Sequence, residues 1–256
     1  MNKTVLITGA SSGIGKEFSY QLAEKGMNLV LVARTKTALE QLAQDIRSKY
    51  NVEATVLTAD LSVEYAAKEV VANLKEKGLE IDYLVNNAGF GTTGEFLDNA
   101  MEKDHQQIMV NIAAVTDLTH ELLPSMVKKK SGTVINVASL VSFQPVPYMA
   151  VYAATKAFVL SFTESLAEEY RSKGITFFAI CPGATETNFF NAAGDKTPSK
   201  TRTPEQVVQT ALKAIEKGKN YAIDGKMNYV MAHSSRFFSR KQVAKLSAKM
   251  SQKNMQ

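Results

Sequence analysis

The chain has 256 residues, of which 45% are hydrophobic and 21% are charged, and this composition excludes a disordered or fibrous chain. The net charge of +5 comes from the end of the chain: residues 236–256 hold six Lys or Arg and no acidic residue, whereas the rest holds 24 basic and 25 acidic residues. We therefore do not expect the rest of the chain to bind nucleic acid.

The sequence shows no pattern of membrane insertion or secretion. No apolar run reaches the roughly 18–20 residues that cross a bilayer, and the first residues lack the pattern of a signal peptide. The single cysteine, Cys181, cannot form an internal disulfide, which favours a cytoplasmic protein. His105, His120 and His233 have neither triad nor metal-ligand spacing, so we predict no metal site and a core position for Cys181.

Short apolar runs alternate with helix-length segments along the chain. Continuous apolar runs of this length are typical of strands that are covered on both faces. The alternation predicts an α/β fold, a single Rossmann-like domain over residues 1–256 with a doubly wound parallel sheet of about seven strands flanked by helices. The predicted strands are Thr4–Thr8, Asn28–Ala33, Ala54–Thr58, Tyr83–Asn86, Thr133–Ala138, Thr176–Cys181 and Tyr221–Asp224.

The segments between the strands carry helix signals. Apolar residues recur at helical spacing in Thr37–Tyr50, and Ser62 is placed to cap the helix after the third strand. Thr203–Gln206 reads as a capping box with proline at the first helical position. Before it, the long irregular stretch at residues 184–203 is predicted to be a substrate lid that becomes more ordered when cofactor binds.

The first strand leads into a glycine-rich turn, TGASSGIG, and then into a helix. Glycines at a strand-to-helix turn permit tight backbone angles and close approach of a pyrophosphate, and the helix N-terminus favours negative charge. A purely structural turn is the alternative, but the flanking strand and helix favour dinucleotide binding. The predicted contacts are Gly9, Ser11, Ser12, Gly13, Ile14 and Gly15.

The end of the second strand bears on the choice of dinucleotide. An acidic residue there would bind the ribose 2′-hydroxyl of NAD, but this strand is followed by Arg34, and the first acid beyond it is Glu40. A guanidinium can pair with the 2′-phosphate of NADP. We therefore predict that NADPH is preferred over NADH, the alternative being a solvated arginine.

Three residues suggest acid–base chemistry near the predicted fifth strand. Tyr152 and Lys156 lie four residues apart in YAATK, hence on one face of a predicted helix. A tyrosine pKa of about 10 would have to fall towards 7, and a nearby ammonium can supply part of that shift. Ser139 follows the strand, at the sheet edge where ligands bind in open α/β folds. Each residue alone is weak evidence for catalysis, because Tyr152 and Lys156 could simply lie on an exposed helix face.

Together these motifs resemble the short-chain dehydrogenase/reductase family. The matching pieces are TGASSGIG, Asp60-Leu61, the NNAG of Asn86–Gly89, Asn111, Ser139, YAATK, and Pro182-Gly183 followed by Thr187. They occur in family order and cover about Thr4 to Phe190, whereas the C-terminal part carries little identity.

The resemblance implies a role for each matching residue. Tyr152 would exchange a proton with the carbonyl or alcohol, Lys156 would lower its pKa and bind the nicotinamide ribose, and Ser139 would polarise the substrate oxygen. Asn111 would hold a water of a proton relay. Further cofactor contacts would come from Asp60, Leu61, Asn87, Ala88, Gly89, Pro182, Gly183, Thr185 and Thr187.

Two segments, Val141–Met149 and Thr185–Lys196, are predicted to form the walls of the substrate pocket. Their apolar side chains predict a carbonyl or alcohol substrate with a hydrophobic body, although some of them could instead pack on the core. The predicted lining is Val141, Phe143, Val146, Tyr148, Met149, Phe189 and Phe190. The sequence thus predicts an NADP-dependent oxidoreductase. The alternatives are a non-catalytic NADP-binding sensor or scaffold, and a membrane-surface lipid-carbonyl reductase.

Two surfaces are expected to meet partners. Glu102–Val127, which Pro124 should bend or end, and Tyr152–Arg171 are the helices that pair subunits in similar proteins, so a homodimer or homotetramer is expected. The basic C-terminal helix or tail, residues 234–256, could place Phe237, Phe238, Val243, Leu246 and Met250 on one apolar face. We favour a helix docked on the body over one that lies on an anionic membrane.

Overall fold

The structure is a computed structural model that describes residues 2–193 and 200–255. Its centre is a seven-stranded sheet in the order β3-β2-β1-β4-β5-β6-β7, with every neighbouring pair parallel. This confirms the predicted doubly wound α/β fold, and each predicted strand agrees with the observed one to within one residue at either end. The strands are β1 Thr4–Thr8, β2 Asn28–Ala33, β3 Ala54–Thr58, β4 Tyr83–Asn86, β5 Gly132–Val137, β6 Ile175–Cys181 and β7 Tyr221–Ile223.

Helices cover both faces of the sheet. The apolar residues of one face pack with Phe18, Leu39 and Val207, and those of the other pack with Val70 and Leu118. Parallel strands buried on both faces explain the continuous apolar runs of the sequence. The helices are α1 Gly13–Glu24, α2 Lys36–Tyr50, α3 Ala66–Glu76, α4 Met101–Ile108, α5 Ala114–Lys129, α6 Ala150–Glu169, α7 Phe189–Ala193, α8 Pro204–Glu216, α9 Lys226–Ser234 and α10 Arg240–Met255.

The helix expected over Glu102–Val127 is present, but its hydrogen-bonding pattern changes near the middle. A π-helical turn, Met109–Ala113, separates α4 from α5, and α5 then continues past Pro124 to Lys129. The expectation that Pro124 could end the helix was wrong: α5 ends where Lys130 adopts φ 52°, in the left-handed region. π-Turns are frequent at functional sites, and this one contains Asn111.

Helix capping follows the sequence at one of the two proposed sites. The capping box at Thr203 is confirmed, since its side chain accepts from Gln206 N and the Gln206 side chain accepts in return. Ser62 does not cap α3: its backbone and hydroxyl donate to the Asp60 carboxylate at 3.0 and 2.7 Å, and α3 begins only at Ala66. The Ser62 hydroxyl is therefore engaged by Asp60, and α3 begins about one turn later than a cap at Ser62 would place it.

The segment after β6 leaves the sheet and returns to it. A β-bridge between Thr185 and Arg202 joins its two ends, and α7 forms one short turn inside it. Arg202 also pairs with Asp224 at the end of β7, at 2.6 and 2.9 Å. Residues 194–199 of the predicted lid lie outside the described residues.

The chain ends in α9, a short 3-10 turn at Ser235–Phe237, and α10. α10 buries Val243 and Ser247, whereas Leu246 and Met250 stay exposed. Of the predicted apolar face, Val243 is therefore buried, whereas Phe237, Phe238, Leu246 and Met250 are mostly exposed. Within the described residues, no helix is both long and apolar enough to cross a membrane.

Candidate active site

The carboxyl ends of the central strands bring the predicted motifs to one edge of the sheet. The glycine turn follows β1, NNAG follows β4, Ser139 follows β5 and Pro182 follows β6. β2 lies on one side of β1 and β4 lies on the other, so the crevice between the β1 and β4 ends is the topological switch point of this fold. Sequence spacing and sheet order thus place the candidate site at the same location.

Thr8 and Asn87 tie the glycine turn to the NNAG segment. The Thr8 hydroxyl accepts from the backbone N–H groups of Asn87 and Ala88, each at 3.0 Å. The Asn87 side chain donates in return to the carbonyls of Thr8 and Gly9, at 2.9 and 3.2 Å. Asn87 therefore acts on the backbone of the turn, a role that the motif itself does not reveal.

The glycine turn has the backbone that a dinucleotide requires. Gly9 and Gly13 have φ of 64° and 52°, in the left-handed region that favours glycine. A Cβ on Gly9 would lie 2.7 Å from Nδ2 of Asn87, so no side chain fits there. Ser12 makes no side-chain capping bond, which leaves the first N–H groups of α1 directed at the crevice. The turn fits a bound pyrophosphate.

Ser11 and Ile14 belong to the same turn, next to the end of β2. There Arg34 is exposed, and its charge helps to lower the pKa of Asp60 after the larger effect of the backbone N–H of Ser62. The Leu61 side chain is buried in the core, so only its backbone can contact a ligand. The structure thus puts an arginine and an aspartate together beside the crevice.

Tyr152 and Lys156 lie on one face of the first turns of α6, and both are buried. The Lys156 ammonium lies 5.8 Å from the centre of the Tyr152 ring and donates to the Val137 carbonyl at 2.7 Å. Ser139 forms a side-chain hydrogen bond with Tyr152. The structure therefore brings together the phenol, the ammonium and the hydroxyl that the sequence suggested.

Burial sets the protonation states of this pair. It raises the pKa of Tyr152 to about 12, and the bond with Ser139 acts in the opposite direction. Burial also lowers the pKa of Lys156 to about 8. The expected fall of the Tyr152 pKa towards 7 is not found in the chain itself, because desolvation outweighs the attraction of an ammonium that is bonded elsewhere.

Asn111 is fixed by both ends of its side chain. Its oxygen accepts from Phe90 N at 3.2 Å, and its nitrogen donates to the Phe90 carbonyl and the Thr155 hydroxyl, each at 3.0 Å. A Cβ on Gly89 would lie 2.9 Å from Oδ1 of Asn111 and 3.3 Å from Nζ of Lys156. The two side chains therefore converge on one point beside Gly89.

Two residues of the site, Thr155 and Ser142, were not predicted from the sequence. The Thr155 hydroxyl donates to the Tyr152 carbonyl at 2.8 Å while it accepts from Asn111. The Ser142 hydroxyl donates to the Lys156 carbonyl at 2.8 Å and accepts from Ser139 N at 3.2 Å. Thr155 lies inside YAATK, so its helical position was a usable signal, whereas nothing in the sequence marks Ser142.

The loop after β6 crosses the other side of the crevice. The Pro182 carbonyl accepts from Leu140 N at 2.8 Å, and the Thr185 hydroxyl donates to the Gly183 carbonyl at 3.1 Å. A Cβ on Gly13 would lie 2.9 Å from the methyl of Thr187. The predicted nicotinamide-binding residues and the glycine turn therefore face each other.

The predicted substrate pocket is only partly as expected. Phe189 does stand over Tyr152, with ring centres 5.1 Å apart, and Phe190 packs edge-on against it. Phe143 instead packs against Tyr221 and His233, with ring centres 6.1 and 6.4 Å away, because it belongs to a small core cluster. Phe143 therefore supports the wall from behind, and its place in the lining of the pocket stays a prediction.

Of the remaining predicted pocket residues, Val141 and Val146 belong to the wall, and Tyr148 and Met149 line a separate small cavity. Val141 donates its backbone N–H to the Ser139 hydroxyl at 3.3 Å, and Val146 is buried. Tyr148, at φ 68°, and Met149 line a small cavity of about 50 Å³ together with Asp104. Phe96 and Val151 line the same cavity, which therefore combines apolar side chains with the Asp104 carboxylate.

Cys181 is fully buried, and burial raises its thiol pKa, so it cannot act as a nucleophile near neutral pH. Among the residues described, no cluster of three or more His, Cys, Asp or Glu could hold a metal ion.

Comparisons with known proteins agree with this geometry. A family model described as short chain dehydrogenase matches residues 3–198. The very-long-chain 3-oxoacyl-CoA reductase of Homo sapiens is 34% identical over 225 residues, which cover 84% of this chain and 69% of that protein. Among solved structures, a short-chain dehydrogenase from Sphingobium yanoikuyae in complex with NADPH superposes with a TM-score of 0.85 at 34% identity, covering 91% of this chain and 92% of that one.

A second solved structure is similar over the same extent. The bulky-bulky ketone specific alcohol dehydrogenase from Comamonas testosteroni has a TM-score of 0.80 at 33% identity and covers 91% of this chain and 92% of its own. The matched family model covers both the glycine turn and the Tyr152–Lys156 pair. The chain therefore belongs to the short-chain dehydrogenase family and is an oxidoreductase that acts on carbonyl or alcohol groups.

Proposed function

We propose that this protein uses NADPH to reduce the ketone of a substrate with a long hydrophobic body, of the 3-oxoacyl thioester class. The observation that carries this proposal is the buried Tyr152 with Ser139 and Lys156 beside it, under the aromatic cover of Phe189. Similarity to a very-long-chain 3-oxoacyl-CoA reductase and to a bulky-ketone dehydrogenase supports the choice of substrate.

The protonated form of Tyr152 is the one that a reduction requires. With a pKa of about 12, the phenol carries its proton at neutral pH and can donate it to a carbonyl oxygen. The Ser139 hydroxyl, at the same edge, holds that oxygen by a hydrogen bond and stabilises the negative charge that develops on it. When bound, NADPH supplies the hydride to the carbonyl carbon.

The proton lost by Tyr152 must be replaced after each turnover. Lys156 has a pKa of about 8, so it can take up and release protons near neutral pH. Its ammonium and the Asn111 side chain converge beside Gly89, at the place where a water could connect them to solvent. We assign Asn111 and Lys156 to this relay, and Lys156 also to the nicotinamide ribose.

Cofactor choice depends on Arg34 in this proposal. Arg34 is exposed at the end of β2, where its guanidinium can reach a 2′-phosphate. The glycine turn and the loop that follows β6 supply the remaining contacts, which are formed mainly by backbone groups. We infer a preference for NADPH over NADH.

The homodimer or homotetramer stays a prediction. Ile108 and Phe158, on α4 and α6, are partly exposed apolar side chains on the helices expected to pair, and Phe158 stacks on Phe162 with ring centres 5.6 Å apart. Light scattering at micromolar concentration tests it; a monomeric mass would exclude it.

The test is cofactor consumption with 3-oxoacyl-CoA substrates of short, medium and long chain, with NADPH and NADH in parallel. We expect activity that rises with chain length and favours NADPH. Tyr152→Phe is expected to lower turnover by about 10²–10⁴-fold while NADPH affinity stays nearly unchanged, because only the proton donor is lost. Turnover that survives in Tyr152→Phe contradicts the mechanism; cofactor binding with no turnover on any carbonyl substrate indicates a binding module instead.

A further inference from the structure

The end of the chain displays large apolar side chains to solvent. Phe237 and Phe238 are 85% and 57% exposed, and Leu246 and Met250 on α10 are 59% and 50% exposed. α10 itself packs against the rest of the protein along one narrow side, where Val243 and Ser247 are buried. These four side chains are thus displayed beside an anchored helix, which is unusual for a protein surface that contacts only water.

Exposed cations surround these apolar side chains. No Asp or Glu follows Asp224 in the sequence, and Asp224 is itself fully buried in its pair with Arg202. None of the cations has an ion-pair partner among residues 2–193 and 200–255. We define the C-terminal surface as Phe237, Phe238, Leu246 and Met250 together with Arg236, Arg240, Lys241, Lys245 and Lys249.

Local structure keeps the two kinds of side chain next to each other. Ser239 caps α10, since its hydroxyl accepts from Gln242 N at 3.3 Å, so the helix begins directly after the two phenylalanines. Lys245 precedes Leu246 by one residue, and such neighbours point about 100° apart around a helix. The same holds one turn later. Cations and apolar groups therefore occupy adjacent sides of α10.

We propose that the C-terminal surface docks on an anionic lipid bilayer, with Phe237 and Phe238 entering the headgroup region. A bilayer supplies both a negative surface and an apolar layer beneath it. A second copy of the chain is a poor occupant, because a two-fold contact of this surface with itself would place like charges together. Nucleic acid would leave Leu246 and Met250 without an apolar partner.

The surface is connected to the candidate active site. His233, in the last turn of α9, packs on Phe143 in the segment after Ser139, and the C-terminal surface begins three residues later, at Arg236. Docking would thus bring the wall of the pocket towards the lipid, which suits a substrate with a long hydrophobic body. This consequence rests on the proposed function, whereas bilayer docking does not.

Co-sedimentation of the full chain with vesicles tests the proposal. We expect binding to vesicles of phosphatidylcholine with about one third phosphatidylserine, weak binding to phosphatidylcholine alone, and release as salt is raised. The triple variant Lys241→Gln, Lys245→Gln, Lys249→Gln should bind about 100-fold more weakly, at roughly fivefold per lysine. Phe237→Ser with Phe238→Ser should weaken binding at least tenfold even at low salt, on the order of the loss of two inserted aromatic side chains.

Matched variants identify the site. Lys75→Gln, Lys77→Gln and Lys217→Gln remove the same charge from exposed lysines elsewhere and should leave vesicle binding unchanged. Tyr152→Phe should also bind vesicles as the wild type does, so an error in the proposed reaction would not affect this result. Circular dichroism and NADPH titration confirm that each variant is folded.

Three outcomes overturn the proposal. One is equal binding to neutral and anionic vesicles, and another is an equal loss of binding in the control triple. The third is the absence of vesicle binding together with a dimer that dissociates when Phe237 and Phe238 are replaced, since the surface would then join two copies of the chain.

Discussion

The Ser142 hydroxyl donates to the backbone carbonyl of Lys156 at 2.8 Å, which joins the turn after β5 to the first turns of α6. The same oxygen accepts from Ser139 N at 3.2 Å. One side chain thus sets the separation between the segment that carries Ser139 and the helix that carries Tyr152. Ser142 is a positioning residue.

Ser142→Ala should lower kcat by about tenfold, because a misplaced proton donor weakens a step made only in the transition state, while KM for NADPH should change less than twofold. Steady-state kinetics measure both values. Ser142→Thr keeps the hydroxyl and should restore most of kcat. A parallel rise of KM for the cofactor in Ser142→Ala would indicate a general loss of structure instead.

Gly15→Ala should weaken NADPH binding at least tenfold, a loss of about 1.4 kcal/mol or more. Its Cβ would collide with the Gly9 carbonyl oxygen and the Asn87 side chain, which together fix the glycine turn. Fluorescence titration with NADPH measures the affinity. Gly26→Ala is the control: Gly26 has φ 78° but open space around it, so it should lose about 1 kcal/mol of stability and no cofactor affinity.

Arg34→Ala should weaken NADPH binding about 10–100-fold and leave NADH binding unchanged, because one charge-assisted hydrogen bond to the 2′-phosphate is lost. Parallel titrations with both cofactors measure the ratio. Lys75→Ala, which removes an exposed cation far from the crevice, should not alter it. Equal weakening for both cofactors would assign Arg34 to the shared part of the dinucleotide.

Lys156 should make the stability of the protein depend on alkaline pH. Its pKa is about 8 in the folded chain against 10.5 for the ordinary value, so between these values the unfolded chain binds more protons and the free energy of unfolding rises with pH. Lys156→Met lacks this rise. Between pH 7 and pH 10 the free energy of unfolding of the wild type should therefore increase by roughly 2 kcal/mol relative to that of Lys156→Met, as measured by urea denaturation. Tyr152 titrates higher, near 12, and contributes little in this window.

Arg202→Met should destabilise the fold by about 3 kcal/mol, because within residues 2–193 and 200–255 it leaves the fully buried Asp224 carboxylate with the Thr210 hydroxyl as its remaining side-chain partner. Chemical denaturation measures the loss. Lys25→Met breaks the exposed pair with Glu216 and should cost well under 1 kcal/mol. Similar losses in both variants would show that burial of Asp224 does not control the effect.

The strands could be predicted from the sequence because burial on both faces leaves an unbroken apolar run, as in Asn28–Ala33. The order of the motifs along the chain also predicted the site, since each one follows a strand. The π-turn at Asn111 and the bonds of its side chain to Phe90 and Thr155 could not be predicted, because these partners are distant in sequence. Such tertiary contacts have no local pattern.

The acid–base properties of the site were predicted less well than the set of residues that form it. Tyr152, Lys156 and Ser139 meet as expected, but the direction of the Tyr152 pKa depends on how deeply α6 buries it, and sequence spacing carries no measure of burial. The contacts of Phe143 with Tyr221 and His233 could not be predicted for the same reason, because sequence spacing does not show which neighbours an aromatic side chain packs against.

The bridge between Thr185 and Arg202 fastens both ends of the segment after β6 to the body of the protein. Phe189 lies between these two ends, so an exchange at this position would alter the cover over Tyr152 without moving the strands that the bridge adjoins. Variation at this one side chain offers evolution a way to change the size of the carbonyl or alcohol compound that fits, while Thr187 keeps its place against the glycine turn.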